Sequence, residues 1–88
     1  MVRKRVIVHG RVQGVFFRDT TRRTAESRGV AGWVRNNPDG SVEAVFEGAP
    51  EAVDAMVRFA REGPRGAMVD HVEVHDEPAE GLTGFRIT

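Results

Sequence analysis

The sequence predicts a small α+β sandwich, an antiparallel sheet with two helices on one face, in the order βαββαβ with a short closing strand. Three observations predict it. Short β-branched runs with alternating apolar and polar residues recur along the chain. Two stretches with apolar residues at helical spacing separate them. A strong turn signal, Asn37-Pro38-Asp39-Gly40, joins two of the strand-like runs directly.

The elements follow in order. Val6 to His9 is a β-branched run that is expected to stop at Gly10. The next residues, to Val15, carry a second glycine, Gly14, and read as a shaped loop. Arg18 to Arg28 is polar and helix-compatible, with Phe17, Thr21 and Ala25 on one side and Gly29 where a helix C-terminal glycine belongs. Val30 to Asn37 alternates as a second strand, and Ser41 to Glu47 as a third. In the third, Val42, Ala44 and Phe46 face one way and Ser41, Glu43 and Glu47 the other. The turn between them makes the pair a hairpin.

Pro50 suits the first turn of a second helix, and Glu51 lies next to the positive end of its dipole. Val53, Met56, Val57 and Ala60 form its apolar stripe, widened by Phe59. Gly63-Pro64-Arg65-Gly66 ends it. His71 to His75 is a fourth strand with Val72 and Val74 inward, Glu77 to Gly84 is loop, and Phe85-Arg86-Ile87 closes the chain. Each helix then bridges two parallel, non-adjacent strands, which is the split βαβ or ferredoxin-like plan. That plan hosts enzymes, RNA binders and ligand sensors, so function must be read from a site.

The 88 residues are expected to form one domain, residues 1–88. A chain of this size buries roughly 60–65% of the surface its unfolded form exposes. It has room for one core and a shallow site built from backbone and a few side chains. Thirteen Lys and Arg balance thirteen Asp and Glu, which argues against nucleic acid or an anionic membrane as partner. Arg3, Lys4 and Arg5 read as a solvated strand edge. Cysteine is absent, so disulfides, thiolate chemistry and Cys-ligated zinc are excluded. No apolar run approaches ~18 residues and no signal-peptide core opens the chain. A cytoplasmic monomer is expected.

The informative segment is Gly10-Arg11-Val12-Gln13-Gly14-Val15-Phe16-Phe17-Arg18. It lies between a strand end and a helix start, where backbone N–H groups lack intrachain partners. Two glycines let such a loop curl until those groups converge on an anion, and the helix dipole adds partial positive charge. Inorganic phosphate or sulfate should therefore bind there. Arg18, in the first helical turn, is poorly placed as a bare cation, but beside a phosphate it becomes a planar two-point donor. The same spacing fits an ordinary strand–loop–helix junction with Arg18 in a surface ion pair, for instance with Asp19. The segment is neither a Walker loop nor a dinucleotide Gly-x-Gly-x-x-Gly motif.

The segment resembles the acylphosphatase signature, matching at every position from Gly10 to Arg18 except the variable one at Phe16. Gly32-Trp33-Val34-Arg35-Asn36 resembles the family's second block, at the right separation and followed by the expected turn and Gly40. The resemblance extends over the whole chain. Gly48-Ala49-Pro50 departs slightly from the family's Gly-Pro, which touches packing rather than chemistry. The resemblance implies hydrolysis of the carboxyl–phosphate bond of acyl phosphates, without a cofactor. It implies that Arg18 binds the substrate phosphate with the backbone N–H groups of Arg11, Val12, Gln13, Gly14, Val15, Phe16 and Phe17. Asn36 is implied to position the attacking water, and its amide has the needed donor and acceptor. Asn37 reads as a turn former.

No carboxylate falls within either block and no His, Asp or Glu cluster has metal-ligand spacing. Metal-free catalysis by positioning and charge stabilisation is therefore expected, the leaving group being good and the transition state loose. The resemblance further implies that the substrate's own phosphate takes the water proton. His71 and His75 are expected to face solvent, and His9, one residue from the loop, is the one histidine within reach of the site. The rival reading is a non-catalytic ferredoxin-like module for an anion or small ligand. RNA binding would need exposed aromatics on the first and third strands and a basic face. Larger carbamoyl-phosphate-processing enzymes carry a similar segment but continue into Cys-rich zinc modules.

Overall fold

Alternation along the first strand, β1 (Val2–Arg11), separates an apolar face from a charged one: Val6 and Val8 are buried beneath the helices, while Arg3, Arg5, Ile7 and His9 point away. The structure is a computed structural model describing residues 1–88. After β1 come α1 (Phe17–Ser27), β2 (Ala31–Asn36), β3 (Val42–Gly48), α2 (Pro50–Glu62), β4 (Met68–Glu77) and β5 (Phe85–Ile87). The strands form one sheet in the order β4-β1-β3-β2-β5. Val6 lies opposite Ala44 and Val74, and Val8 opposite Val42 and Val72. Against these pack Phe17 and Ala25 of α1 and Val53, Met56 and Ala60 of α2, in one 14-residue cluster. No helix is long and apolar enough to cross a membrane.

The βαββαβ order and both helices stand as predicted, and Gly29 closes α1 with φ 68°. Two strands are longer than their β-branched runs. β1 begins at Val2 and continues through Gly10 to Arg11, with a register shift between His9 and Gly10, and β4 covers ten residues rather than five. Long-range pairing supplies ladder partners to charged residues that have no local strand signal. Four strands are antiparallel, but β5 runs parallel to β2, so the sheet is mixed at that edge. The loop after β4 crosses at the end of the sheet where β4 finishes. The chain therefore re-enters running the opposite way to β4, which is the direction of β2.

The position of β1 in the sheet corrects one expectation. Arg3, Lys4 and Arg5 are not a solvated edge, because β1 lies between β3 and β4. Arg3 bridges Glu47, Glu77 and Glu80; Arg5 bridges Glu43 and Glu77; Lys4 pairs with Asp76. Glu43 and Glu47, which alternation alone would place in solvent, are buried on the central strand. Long side chains lie flat over the sheet and take the place of a second layer. Glu47 also accepts the backbone N–H groups of Glu80, Gly81 and Leu82 at 3.0, 2.6 and 2.9 Å, pinning the loop to β5.

These carboxyls titrate below the ordinary glutamate value of 4.5. The Glu80 N–H, with those of Leu82 and Gly81, lowers Glu47 against its burial. Burial opposes ionisation of Glu43, but Arg35, Arg5 and Asn37 outweigh it. Hydrogen bonds from Arg5 and Arg3 hold Glu77 down. The unfolded chain therefore binds more protons in acid, and stability falls as pH drops. Thermal melts are expected to show a flat Tm above about pH 5 and a progressive loss below 4.5. An unchanged Tm down to pH 3 would show that the network contributes no such stability.

Candidate active site

The segment between β1 and α1 is held at three points by its own apolar residues. Val12 and Phe17 are buried, and Val15 packs partly against the core. Between these anchors the backbone turns outward. Gly14 has φ 75°, and an added Cβ there would meet nothing within 4 Å, so glycine is required by conformation and not by space. Phe16 takes φ 60° and ψ 26°, the left-handed region, at the position that precedes α1. None of the backbone N–H groups of residues 12–16 donates to a backbone carbonyl, and no side chain caps α1. Free donors and a helix N-terminus thus sit together, as an anion site requires.

Arg18 has no carboxylate partner. Asp19 is taken by Arg22 and Arg23 at 3.1 and 3.0 Å. These residues lie three and four positions on, where helical geometry brings side chains together, whereas Arg18 and Asp19 diverge around the helix. The surface ion pair between Arg18 and Asp19, open from the sequence alone, is not formed.

Asn36 is the last residue of β2, opposite Val42 and on the same face as Gly32 and Val34. That face lies under the helices, which brings Asn36 beneath the start of α1. Arg18 and Asn36 border one cavity of about 300 Å³, together with Val12, Gly14, Phe16 and Phe17. Asp19 and Ile87 also border it, and neither was anticipated. Ile87 had no signal in the sequence, since only the parallel docking of β5 beside Val34 puts it there.

The remaining loop positions have other places. Arg11 ends β1, paired with Met68. Gln13 turns its amide to the hairpin and donates to the carbonyls of Asn37 and Ser41 at 2.8 and 2.9 Å. The loop and the strand end that carries Asn36 are thereby tied by one side chain. Asn37 serves the turn: its amide donates to Ser41 Oγ and Glu43 Oε1. Asp39 accepts from the Ser41 N–H and hydroxyl, and these bonds hold its carboxyl below the usual range. His9 points to the helix-free face, where Nε2 lies 2.7 Å from Glu73 Oε2 and the ring stacks on His71. It does not border the cavity. His71 and His75 are exposed, as expected. No three His, Asp or Glu residues are grouped to hold a metal ion.

A family model described as Acylphosphatase matches residues 4–87. A curated acylphosphatase of Rubrobacter xylanophilus is 63% identical over 86 residues, covering 97% of this chain and 78% of that protein. The crystal structure of acylphosphatase from Bacillus subtilis superposes with a TM-score of 0.96 at 38% identity, covering 100% of this chain and 99% of that one. HypF of T. kodakarensis contains a similar unit, with a TM-score of 0.85 and 30% identity, in which this chain matches 12% of the larger chain.

Proposed function

The chain belongs to the acylphosphatase family and hydrolyses the carboxyl–phosphate bond of acyl phosphates, and from that premise we propose which of its groups do the work. Arg18 grips the substrate phosphate through two guanidinium N–H groups, and the backbone N–H groups from Arg11 to Phe17 close around the other oxygens. Asn36 holds the water, accepting from its O–H and donating to an oxygen of the phosphoryl group. Water attacks phosphorus, the bond between phosphorus and the bridging oxygen breaks, and the electron pair leaves with the carboxylate. The water proton passes to a phosphate oxygen. What supports this reading is that Arg18, which has no carboxylate partner, and Asn36 border one cavity together with Val12, Gly14 and Phe16, whose N–H groups donate to no backbone carbonyl.

Charge stabilisation and positioning suffice for this chemistry because the carboxylate is a good leaving group and the transition state is loose. The one carboxylate beside the cavity, Asp19, is already engaged by two arginines, so no side-chain base is assigned. Catalysis is taken to be metal-free, with inorganic phosphate and sulfate as competing anions. We read residues 1–88 as one domain on the strength of the single core cluster, and propose that it acts as a monomer in the cytoplasm. His9 has no role at the phosphate in this scheme.

Phosphate release from benzoyl phosphate by the purified protein tests the scheme. The rate is expected to survive EDTA, and added inorganic phosphate to raise KM without lowering kcat. Loss of turnover on chelation, restored by a divalent ion, would overturn the metal-free assignment. Phosphate that neither competes nor shifts the amide signals of residues 13–18 would overturn the site.

A further inference from the structure

Phe16 stands apart from every other residue of the chain. It is the only non-glycine residue with a positive φ. It is also 82% exposed, more than any other large apolar side chain here. A left-handed conformation costs a side chain free energy that glycine, and to a lesser degree asparagine, would avoid. The phenyl ring has no group with which to cap α1. Neither conformation nor capping nor core packing accounts for an aromatic ring at this position.

The ring does border the cavity that holds Arg18 and Asn36. So does Ile87, a second large apolar side chain that is exposed, at 38%. Ile87 pairs with Val34, so it lies on the helix side of the sheet, next to the strand that carries Asn36. Of the four exposed large apolar residues, Met1 and Met68 lie elsewhere and two meet at this one rim. The cavity is therefore bordered by polar side chains, Arg18, Asp19 and Asn36, and at its mouth by the two exposed apolar side chains. At about 300 Å³ it is at the small end for ligand sites, enough for the phosphate with the acyl part lying in the mouth.

We infer that Phe16 and Ile87 form a selectivity lip that takes the acyl part of the substrate, so that the enzyme favours acyl phosphates with an aromatic or branched apolar acyl group over small or charged ones. The inference rests on the phosphate site proposed above, because the lip acts on whatever group projects from a phosphate held by Arg18. The left-handed turn at Phe16 is what directs the ring to the rim instead of into the core.

The test compares kcat/KM for benzoyl phosphate with that for acetyl phosphate in the wild type, Phe16→Asn, Phe16→Leu and Ile87→Ala. Asparagine tolerates positive φ, so Phe16→Asn keeps the loop and is expected to melt at the wild-type temperature or above. Its benzoyl-to-acetyl ratio is expected to fall about tenfold, the low end of what one apolar pocket contact contributes to discrimination. Phe16→Leu should keep most of the ratio, and Ile87→Ala should lower it by a smaller factor. A purely structural role predicts the reverse pattern, a change in Tm with the ratio unmoved. An unmoved ratio in both Phe16→Asn and Ile87→Ala would overturn the lip. Failure of the underlying site would show differently, as a wild type whose turnover of both substrates ignores inorganic phosphate.

Discussion

Arg18→Ala is expected to raise KM for acyl phosphate and to lower kcat by on the order of 10²–10³, the effect of removing one donor from a transition-state oxyanion. The loss should appear in both constants because the guanidinium meets phosphate charge in the ground state and again as that charge redistributes. Asn36→Ala should behave differently. It removes the holder of the water and leaves Arg18 and the N–H groups in place, so kcat collapses while the inhibition constant of inorganic phosphate stays near the wild-type value. Neither substitution should unfold the protein, since both side chains are polar, only partly buried and border the cavity. Steady-state kinetics and phosphate titrations on both variants decide the matter. Wild-type turnover by Asn36→Ala would reduce Asn36 to a turn residue. An equal loss of phosphate affinity in both variants would end the division of labour.

The second large effect concerns stability and falls on the strand that delivers Asn36. Gly32 lies between Phe46 on β3 and Phe85 on β5, whose rings stack with centroids 6.1 Å apart. Its φ is 146°, and a Cβ added there would overlap the carbonyl oxygen of Val45 and come within 3.2 Å of the Phe85 ring. Gly32→Ala thus combines a disfavoured backbone conformation with a collision against a rigid ladder. The expected cost is about 3–5 kcal/mol, against a total stability of about 4–13 kcal/mol for a chain of this length. Gly29→Ala is the natural control. Gly29 also has positive φ, but its added Cβ would meet nothing within 4 Å, so only the backbone term remains, about 1–2 kcal/mol. Urea melts on the two variants should differ by at least 1 kcal/mol by this reasoning. Equal costs would mean that β3 and β5 shift freely to admit the methyl group.

The pH prediction and the Gly32 prediction both depend on features that alternation does not reveal. Glu43 and Glu47 occupy positions that period two assigns to solvent, and that assignment of facing is correct. They are buried all the same, because arginines from β1 and β2 and the loop before β5 close over them. Apart from Arg35 and Asn37, each partner is tens of residues away, so no short window of sequence contains the whole reason. The ends of β1 and β4 escaped for the same cause. Arg3, Arg5 and Glu77 have no intrinsic strand preference and extend their strands only because each has a neighbour across the ladder.

By itself the sequence determined the order of the elements, the core-facing residues and the two blocks that carry Arg18 and Asn36. These are local properties: apolar spacing, turn chemistry and glycine placement act over a few residues and survive without knowledge of the rest of the chain. The claim of Arg22 and Arg23 on Asp19, which leaves Arg18 free, is local too, being made at i+3 and i+4 on one helix, whereas the tertiary structure decided that Gln13 ties the loop to the hairpin. It also decided that β5 runs parallel to β2 and brings Ile87 to the cavity that the exposed Phe16 also borders. Such outcomes depend on which distant groups compete for the same partner, and that competition is settled only when the chain has closed on itself.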